Sequence, residues 1–191
     1  SSSNPIVWIG STIQGLLNSC YLGKKDGCSK YCYVNSTTQG VCNYSQNGIN
    51  ENDSYGNMIV SVYYNTGIAG SYSLSSSNFY AKETIKQVSE KSMTGLMYAS
   101  DFGYAISGYT GNLGYSSANS QMVNNWLFGQ SYEWTMTAYS SSLPVYVDVY
   151  GGLVISSAYR GYAVRPVLYL QSNVNKLSGD GSIASPYTLG M

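Results

Sequence analysis

The four cysteines constrain the fold more than any other feature, because all of them lie in the first quarter of the chain. They are Cys20, Cys28, Cys32 and Cys42. Their spacings match no common zinc-binding pattern, and the CxxxC among them is not the redox CxxC, so a four-thiolate metal site is the lesser alternative. We expect two disulfides and therefore an oxidising compartment. Sequential pairing and nested pairing (Cys20 with Cys42, Cys28 with Cys32) are both sterically open.

The length of 191 residues predicts a single domain spanning 1–191. Within it we distinguish residues 1–57, an N-terminal helix followed by a disulfide-stapled loop region, from residues 58–191, the core. The helix is predicted from the i, i+3, i+4 spacing of Ile13, Leu16 and Leu17 after Ser11. We expect a leader or an anchoring segment to have preceded Ser1.

The charge content argues against several classes of function. The chain has nine basic residues, nine acidic residues and no histidine, and charged residues make up only 9% of it, against roughly 25% in ordinary domains. No basic surface is available to attract nucleic acid, and the commonest general base and zinc ligand is missing. We therefore expect no enzymatic activity, cofactor, metal or nucleic-acid partner. No apolar run is long enough to span a membrane.

Tyrosine is in large excess, with 21 Tyr against three Phe and three Trp. This ratio predicts rings that are half-buried and keep their hydroxyl groups in water. Tyrosine and serine together also dominate binding surfaces, since tyrosine supplies contact area at a low cost in conformational entropy. The alternative is simple β-propensity on an exported surface that is poor in charge.

The middle of the chain predicts short elements separated by long loops. Residues 70–78 and 107–118 are interpreted as loops, and residues 82–91 as a short amphipathic helix with a solvated charged face. A further helix is predicted over 120–129, with Trp126 and Leu127 facing the core. The predicted strands of this part are 58–64, 96–99 and 102–106.

The last third of the chain predicts mainly strands. They cover residues 131–139, 145–150, 153–157 and 162–170, and a turn at Asp180 precedes a short final strand. Pro166 favours an edge or bulge position, and the neighbouring Arg165 is expected to pair with Asp101 or Glu133. Together these elements predict an α+β fold with a dominant antiparallel sheet.

One stretch of this region, YSSSLPVYVDVYGG at 139–152, alternates between apolar residues and residues with polar groups. Alternation in a strand sends Val145, Val147 and Val149 to the core and the residues between them to the opposite face. That outward set consists of Tyr146, Asp148 and Tyr150. We interpret it as a candidate recognition surface.

The segments GLMYASDFGYA, NWL, EWTMT, VRPVLYL, GDG and SPYTL, spread over about residues 93–189, resemble those of the C-type-lectin-like fold. The resemblance is to the branch of formylglycine-generating-enzyme-like proteins and variable proteins of diversity-generating retroelements, as in bacterial exported proteins with a prepilin-like leader. It implies a mixed, mainly antiparallel sheet with two or three short helices and long loops. It also implies a ligand-binding face on the late strands before the VRPV strand, where the variable proteins of retroelements carry their diversified positions. The enzymatic branch requires late cysteines or metal ligands, and residues 43–191 contain no cysteine.

We therefore predict an extracellular or cell-surface adhesin or receptor-binding domain. Its partner would be a protein or a glycan on another cell or a phage surface, and its location the bacterial exterior. Self-association as a pilin-like filament subunit is the alternative function. The predicted ligand-binding residues are Tyr139, Ser141, Tyr146, Asp148, Tyr150, Ser157, Tyr159 and Arg160.

Overall fold

A computed structural model describes residues 8, 11–28, 32–33, 39–46, 48–50, 53–72, 74–86, 88, 90–106, 125–182 and 184–191. The predicted loop at 107–118 and the first half of the predicted helix at 120–129 lie outside these residues. Within them, the chain has an α+β architecture, as the sequence predicts.

Three short α-helices and nine short strands follow one another along the described part of the chain. The helices are α1 (Thr12–Gly15), which continues as a π-helix (Leu16–Tyr21), α2 (Ser76–Glu83) and α3 (Ala99–Tyr104). The strands are β1 (Cys32–Tyr33), β2 (Gln39–Gly40), β3 (Thr94–Leu96), β4 (Glu133–Ala138), β5 (Pro144–Val147), β6 (Leu153–Ile155), β7 (Pro166–Leu168), β8 (Asn175–Ser178) and β9 (Thr188–Gly190). The strands form four small antiparallel sheets: β1–β2, β3–β7, β4–β5–β6 and β8–β9.

Strand β4 occupies the centre of the molecule. All six of its residues are buried, and β5 pairs with one of its edges. Its other edge binds three separate segments of the chain through backbone hydrogen bonds of 2.8–3.0 Å. These bonds run from Trp134 N–H to the Ala163 carbonyl, from Met136 N–H to the Met97 carbonyl, and from Ala69 N–H to the Ala138 carbonyl.

The pairing of β4 with β5 is interrupted by a bulge between Trp134 and Ala138. The hydroxyl of Thr135 fills the gap, because its Oγ1 donates to the Val145 carbonyl at 2.8 Å and accepts from the Thr137 N–H at 3.3 Å. A side chain therefore replaces the missing backbone bond, which keeps the buried carbonyl satisfied.

The sheet is covered on both faces, which explains why β4 is buried throughout. One face packs against α2 and α3, and the other packs against Trp8 and the N-terminal helix. The first cluster includes Phe79, Phe102, Val145, Val147 and Leu153. The second cluster includes Trp8, Leu17, Tyr64, Leu96, Trp134 and Met136.

The side chain of Asn18 fastens the N-terminal helix to the sheet. Its Oδ1 accepts hydrogen bonds from the N–H groups of Met93 (3.1 Å) and Thr94 (3.0 Å). Its Nδ2 donates to the carbonyls of Gln14 and Thr94, both at 3.1 Å. One amide thus satisfies four backbone groups from two elements that lie far apart in sequence.

The disulfide between Cys20 and Cys28 resolves the pairing that the sequence leaves open. The nested alternative is wrong, since it would join Cys20 to Cys42. Cys42 is itself disulfide-bonded, and the backbone of Cys32 pairs with that of Gly40 in the β1–β2 hairpin. The first disulfide closes a local loop directly after the N-terminal helix.

The predicted strand at 58–64 is wrong. Residues 56–58 form a 3₁₀ turn, and the rest makes isolated bridges, Ile59 with Leu170 and Val62 with Ser92. Because these partners belong to different segments, no continuous ladder can form. Tyr64 instead turns into the core, where its hydroxyl donates to the Val167 carbonyl at 3.2 Å.

The predicted helix at 82–91 is also wrong, because the helix begins earlier. Ser75 caps it by accepting the Asn78 N–H at 3.4 Å, so α2 starts inside the segment interpreted as a loop and ends at Glu83. Glu83 is buried rather than solvated. The spacing of the charged residues within 82–91 therefore led to a wrong prediction of the helix bounds.

Two other predictions of local structure are wrong. The first three residues of the predicted strand at 102–106 belong instead to the end of helix α3. This helix starts at residue 99, where Asp101 Oδ2 accepts the Tyr98 N–H at 2.9 Å and closes the first turn. Residues 125–129 form turns rather than a helix. Leu127 is buried as predicted, whereas Trp126 is 77% exposed. The predicted late strands are confirmed in outline by β4, β5, β6, β7 and β9.

Replacing Asn18 with alanine should lower the free energy of unfolding by about 2 kcal/mol, because the Met93 and Thr94 N–H groups lose their acceptor. Urea denaturation measures the change. The matched control is Asn173→Ala, at an exposed position, which should change the free energy by less than about 0.5 kcal/mol. Equal effects of the two variants would contradict the role given to Asn18.

Candidate ligand-binding site

Tyr146, at the centre of the predicted recognition surface, belongs to a cluster of four aromatic rings. It packs against Tyr132, Trp134 and Tyr162, with ring centroids 6.1, 5.8 and 4.8 Å from its own. Tyr132 stacks on Tyr162 at 5.1 Å with an interplanar angle of 21°. We call Tyr132, Tyr146 and Tyr162 the tyrosine patch.

Trp134 forms the base of this patch and the tyrosines form its surface. The indole is 4% exposed and lies 4.7 Å from the Tyr162 ring, whereas Tyr132 is 43% exposed. Tyr146 and Tyr162 are half-buried. The arrangement matches the sequence-based expectation of rings that are partly in the core and partly in water.

Backbone pairing brings the four rings together. The register of β4 and β5 places Trp134 directly opposite Tyr146. Tyr162 is held beside them because Ala163 accepts from the Trp134 N–H and donates its own N–H to the Tyr132 carbonyl at 2.8 Å. Main-chain hydrogen bonds therefore fix the patch, although Tyr146 lies within a strand whereas Tyr132 and Tyr162 lie just outside one.

The hydroxyl group of Tyr146 lies in a partly buried environment within the patch. Burial raises the pKa of Tyr146 to about 12, and the neighbouring Tyr162 adds to the shift. The hydroxyl of Tyr146 therefore stays protonated near neutral pH and can act as donor and acceptor.

Beside the patch, Arg165 and Glu133 neutralise each other. Arg165 Nη2 and Nε donate to the two carboxylate oxygens of Glu133 at 2.9 and 3.2 Å, and the Ser131 hydroxyl donates to the same carboxylate at 3.1 Å. Glu133 is confirmed as the partner that the sequence predicts for Arg165. The alternative, Asp101, is wrong because it caps α3.

Asp148 does not lie on the outward face with Tyr146. The strand ends at Val147, and Asp148 is 3% exposed in the turn between β5 and β6. Its Oδ1 accepts the N–H groups of Tyr150 (2.9 Å) and Gly152 (2.8 Å). The alternation rule fails here because an aspartate can close a turn by binding its own backbone.

The remaining predicted residues are spread around the sheet. Ser141 is exposed in the turn before β5, and Tyr139 packs against the core and the Tyr72 ring at 6.2 Å. Tyr150 is exposed in the turn after β5, and Ser157 is half-buried.

Tyr159 and Arg160 lie beyond Ser157 on the segment that leads to Tyr162. Tyr159 is 67% exposed, and the guanidinium of Arg160 lies 5.3 Å from its ring centroid. The structure therefore brings Tyr159 and Arg160 into contact with each other, while Tyr139 and Tyr150 stand at opposite ends of β5.

The sequence-based set missed Tyr132 and Tyr162. Tyr132 was detectable, because it precedes Trp134 and Met136 at the period of two that identifies one face of a strand. Tyr162 was not, since the parallel bridge that seats Ala163 beside β4 has no local sequence signal.

A buried carboxyl group, Glu83, is the other chemically notable site. Glu83 is 2% exposed and accepts hydrogen bonds from the Ser100 hydroxyl at 2.5 Å, from the Ser100 N–H at 3.3 Å and from the Thr137 hydroxyl. Burial raises its pKa, although these hydrogen bonds oppose the shift. With so little access to solvent, Glu83 joins α2, α3 and β4 structurally.

The raised pKa of Glu83 predicts a pH-dependent contribution to stability. A carboxyl whose folded pKa exceeds its unfolded value, here 4.5, stabilises the fold fully below that value and loses the contribution as the pH rises through the folded pKa. Replacing Glu83 with Gln should therefore make the variant progressively more stable relative to the original protein as the pH rises above 4.5.

Urea denaturation across this pH range tests the prediction. The matched control is Glu90→Gln, since Glu90 is exposed. Parallel pH profiles for Glu83→Gln and the original protein would contradict it.

Comparisons with protein-family models, curated proteins and solved structures found no match for this chain. Among the described residues, no three His, Cys, Asp or Glu side chains are grouped to hold a metal ion. None of the helices in that part of the chain has the length and apolarity needed to cross a membrane.

Proposed function

We propose that this protein is an extracellular recognition domain that binds an uncharged ligand surface through the tyrosine patch. The observation that carries the proposal is the partly exposed ring cluster of Tyr132, Tyr146 and Tyr162, held by main-chain hydrogen bonds above buried Trp134. Rigid aromatic rings with free edges and hydroxyl groups give large contact area at a low entropic cost. The Cys20–Cys28 disulfide is compatible with export.

The proposal favours binding over catalysis. Nearby ionisable groups are either paired, as Glu133 and Arg165 are, or engaged in a turn, as Asp148 is. A surface of this kind offers stacking and adaptable hydrogen bonds to a neutral protein or glycan. Arg160, beside Tyr159, supplies a cation at the margin.

We further propose that the fold is C-type-lectin-like, as the sequence resemblance suggests. Two short helices, α2 and α3, pack against one face of a small sheet, and the late strand β5 carries Tyr146 of the proposed site. Strand β3 pairs with the late strand β7, which contains the VRPV proline. These features support the proposal, and an experimentally determined structure tests it.

Replacing Tyr132 of the patch and Tyr159, three residues before Tyr162, with serine should weaken ligand binding while preserving the fold, because the two rings are 43% and 67% exposed. The matched control is the double variant Tyr55→Ser and Tyr104→Ser, at positions that are 61% and 59% exposed and outside the patch. The fluorescently labelled domain would be applied to an array of neutral glycans and to intact bacterial cells, followed by titration of each surface that retains it.

The expected result is at least about tenfold weaker binding for the patch variant, since exposed anchor residues contribute about 1–2 kcal/mol each. The control should bind like the original protein. Equal binding by both variants, or no retention on any surface, would refute the proposed function.

A second candidate function, a self-assembling filament subunit, rests on the C-terminal hairpin. Strands β8 and β9 form a separate two-stranded sheet, and every residue of β8 is exposed. Leu177, Tyr187 and Met191 present large apolar groups to solvent. A lone hairpin gains stability by pairing with further strands, and an uncovered edge is suited to strand addition from another copy.

If the hairpin mediates assembly, Leu177→Ser should shift the protein toward monomers, because it removes apolar surface from the contact. Sedimentation velocity over a range of concentrations measures this shift. The matched control is Ile85→Ser, at a residue that is 71% exposed elsewhere on the surface. A protein that stays monomeric at every concentration would exclude this candidate.

A further inference from the structure

A cavity of about 210 Å³ opens between the N-terminal helix and the central sheet. We call it the helix–sheet cavity. Its floor is formed by buried side chains, and its mouth includes the exposed residues Thr12 and Ala158. The lining residues are Trp8, Ser11, Thr12, Ile13, Thr66, Leu96, Pro144, Ala158 and the five residues from Trp134 to Ala138.

The walls of the cavity are suited to an uncharged, mainly apolar group. Among the described residues, none of the lining side chains is charged. A charged ligand group placed there would lose its hydration without gaining a partner, which is strongly unfavourable. Two indoles and the thioether of Met136 favour aromatic groups, since rings and sulfur pack well against ring edges and faces.

The polar groups of the cavity further restrict the chemical class of ligand that it can bind. The hydroxyls of Thr135 and Thr137 already donate to Val145 and Glu83 within the core. Ser11 is different, because its Oγ accepts the Gln14 N–H at 3.0 Å and its own proton remains able to donate. Thr12 and Thr66 add further hydroxyl groups to the lining, and such donors in an apolar cavity are appropriate for an oxygen substituent on a ring.

The size of the cavity is suited to one ring. An apolar cavity of about 150 Å³ accommodates benzene, so about 210 Å³ leaves room for a ring with one or two small substituents. A longer ligand would have to leave through the mouth at Ala158, which lies on the segment that carries Tyr159 and Tyr162.

The helix–sheet cavity is also continuous with the tyrosine patch through one side chain. Trp134 lines the cavity and contacts the rings of Tyr146 and Tyr162. A ligand that covers the patch can therefore place a terminal ring behind it, beside the same indole.

We infer that the helix–sheet cavity binds an uncharged aromatic ring of phenol type, as one group of the ligand that the tyrosine patch recognises. The inference rests on the proposed function for the nature of the whole ligand. The ring itself is bound by Trp8, Trp134 and Met136, and its oxygen accepts a hydrogen bond from Ser11.

The three tryptophans of the chain give this inference a direct test with p-cresol as the probe. Two of them, Trp8 and Trp134, line the cavity, while Trp126 is largely exposed outside it. Titration followed by ¹H–¹⁵N NMR should shift the indole signals of Trp8 and Trp134 and leave that of Trp126 unchanged. Benzoate and benzylammonium, which carry charges on rings of similar size, should bind at least about tenfold more weakly.

Variants at the mouth complete the test. Ala158→Phe should obstruct the cavity and weaken p-cresol binding at least about tenfold, and Thr12→Phe provides a second obstruction at an exposed position. The matched control is Ala184→Phe, at an exposed alanine in the turn between β8 and β9, which should bind p-cresol normally. Thermal denaturation verifies that all three variants are folded.

The possible results separate this inference from the proposed function. Equal shifts of all three indoles, equal binding of benzoate, or unimpaired binding by both mouth variants would overturn the cavity site. These outcomes would leave surface binding by the tyrosine patch intact. Equal surface binding by the patch variant and its control would refute the proposed function without affecting p-cresol binding.

Discussion

The rest of the structure depends on the burial of β4 between neighbours at both of its edges. A strand in this position needs hydrogen-bond partners on each side, because an unpaired buried N–H or carbonyl group is costly. Strand β5 supplies one side, and Ala69, Met97 and Ala163 supply the other from three distant parts of the chain. Side chains of β4 contribute to the surroundings of the tyrosine patch, the helix–sheet cavity and the Glu83 network. The position of each of these sites therefore depends on this one strand.

The sequence predicts those features of the fold that depend on neighbouring residues. Alternation identified β4 and the buried faces of Val145 and Val147, and Gly151-Gly152 marked the hairpin turn that follows. The predictions failed where a single side chain changed the local outcome. Asp148 closes a turn, Asp101 starts a helix, and the charges of residues 82–91 suggested a solvated helix although Glu83 is buried.

The candidate site was predicted only in part, for the same physical reason. Tyr146 was identified by its place in a strand, but all three of its ring neighbours come from outside that strand. The contact with Tyr162 depends on a parallel bridge at Ala163, and pairing between distant segments leaves no periodic signal in either one. The pairing of Arg165 could be predicted from the sequence, because an arginine in an apolar strand requires a carboxylate partner and this chain has few carboxylates.

The way in which β4 is bound also has a consequence for the order of folding. Its partners are drawn from residues 69, 97, 145 and 163, so contacts across long stretches of chain must form before the strand is enclosed. Such nonlocal contacts slow folding, and domains acquire their structure as the chain emerges from its N-terminus. Ala163 is made 25 residues after the end of β4 (163 − 138), so the edge of β4 that it covers stays open over that interval of synthesis. A chain that remains unfolded until this segment is available would not present the edge to other chains, which protects it from aggregation.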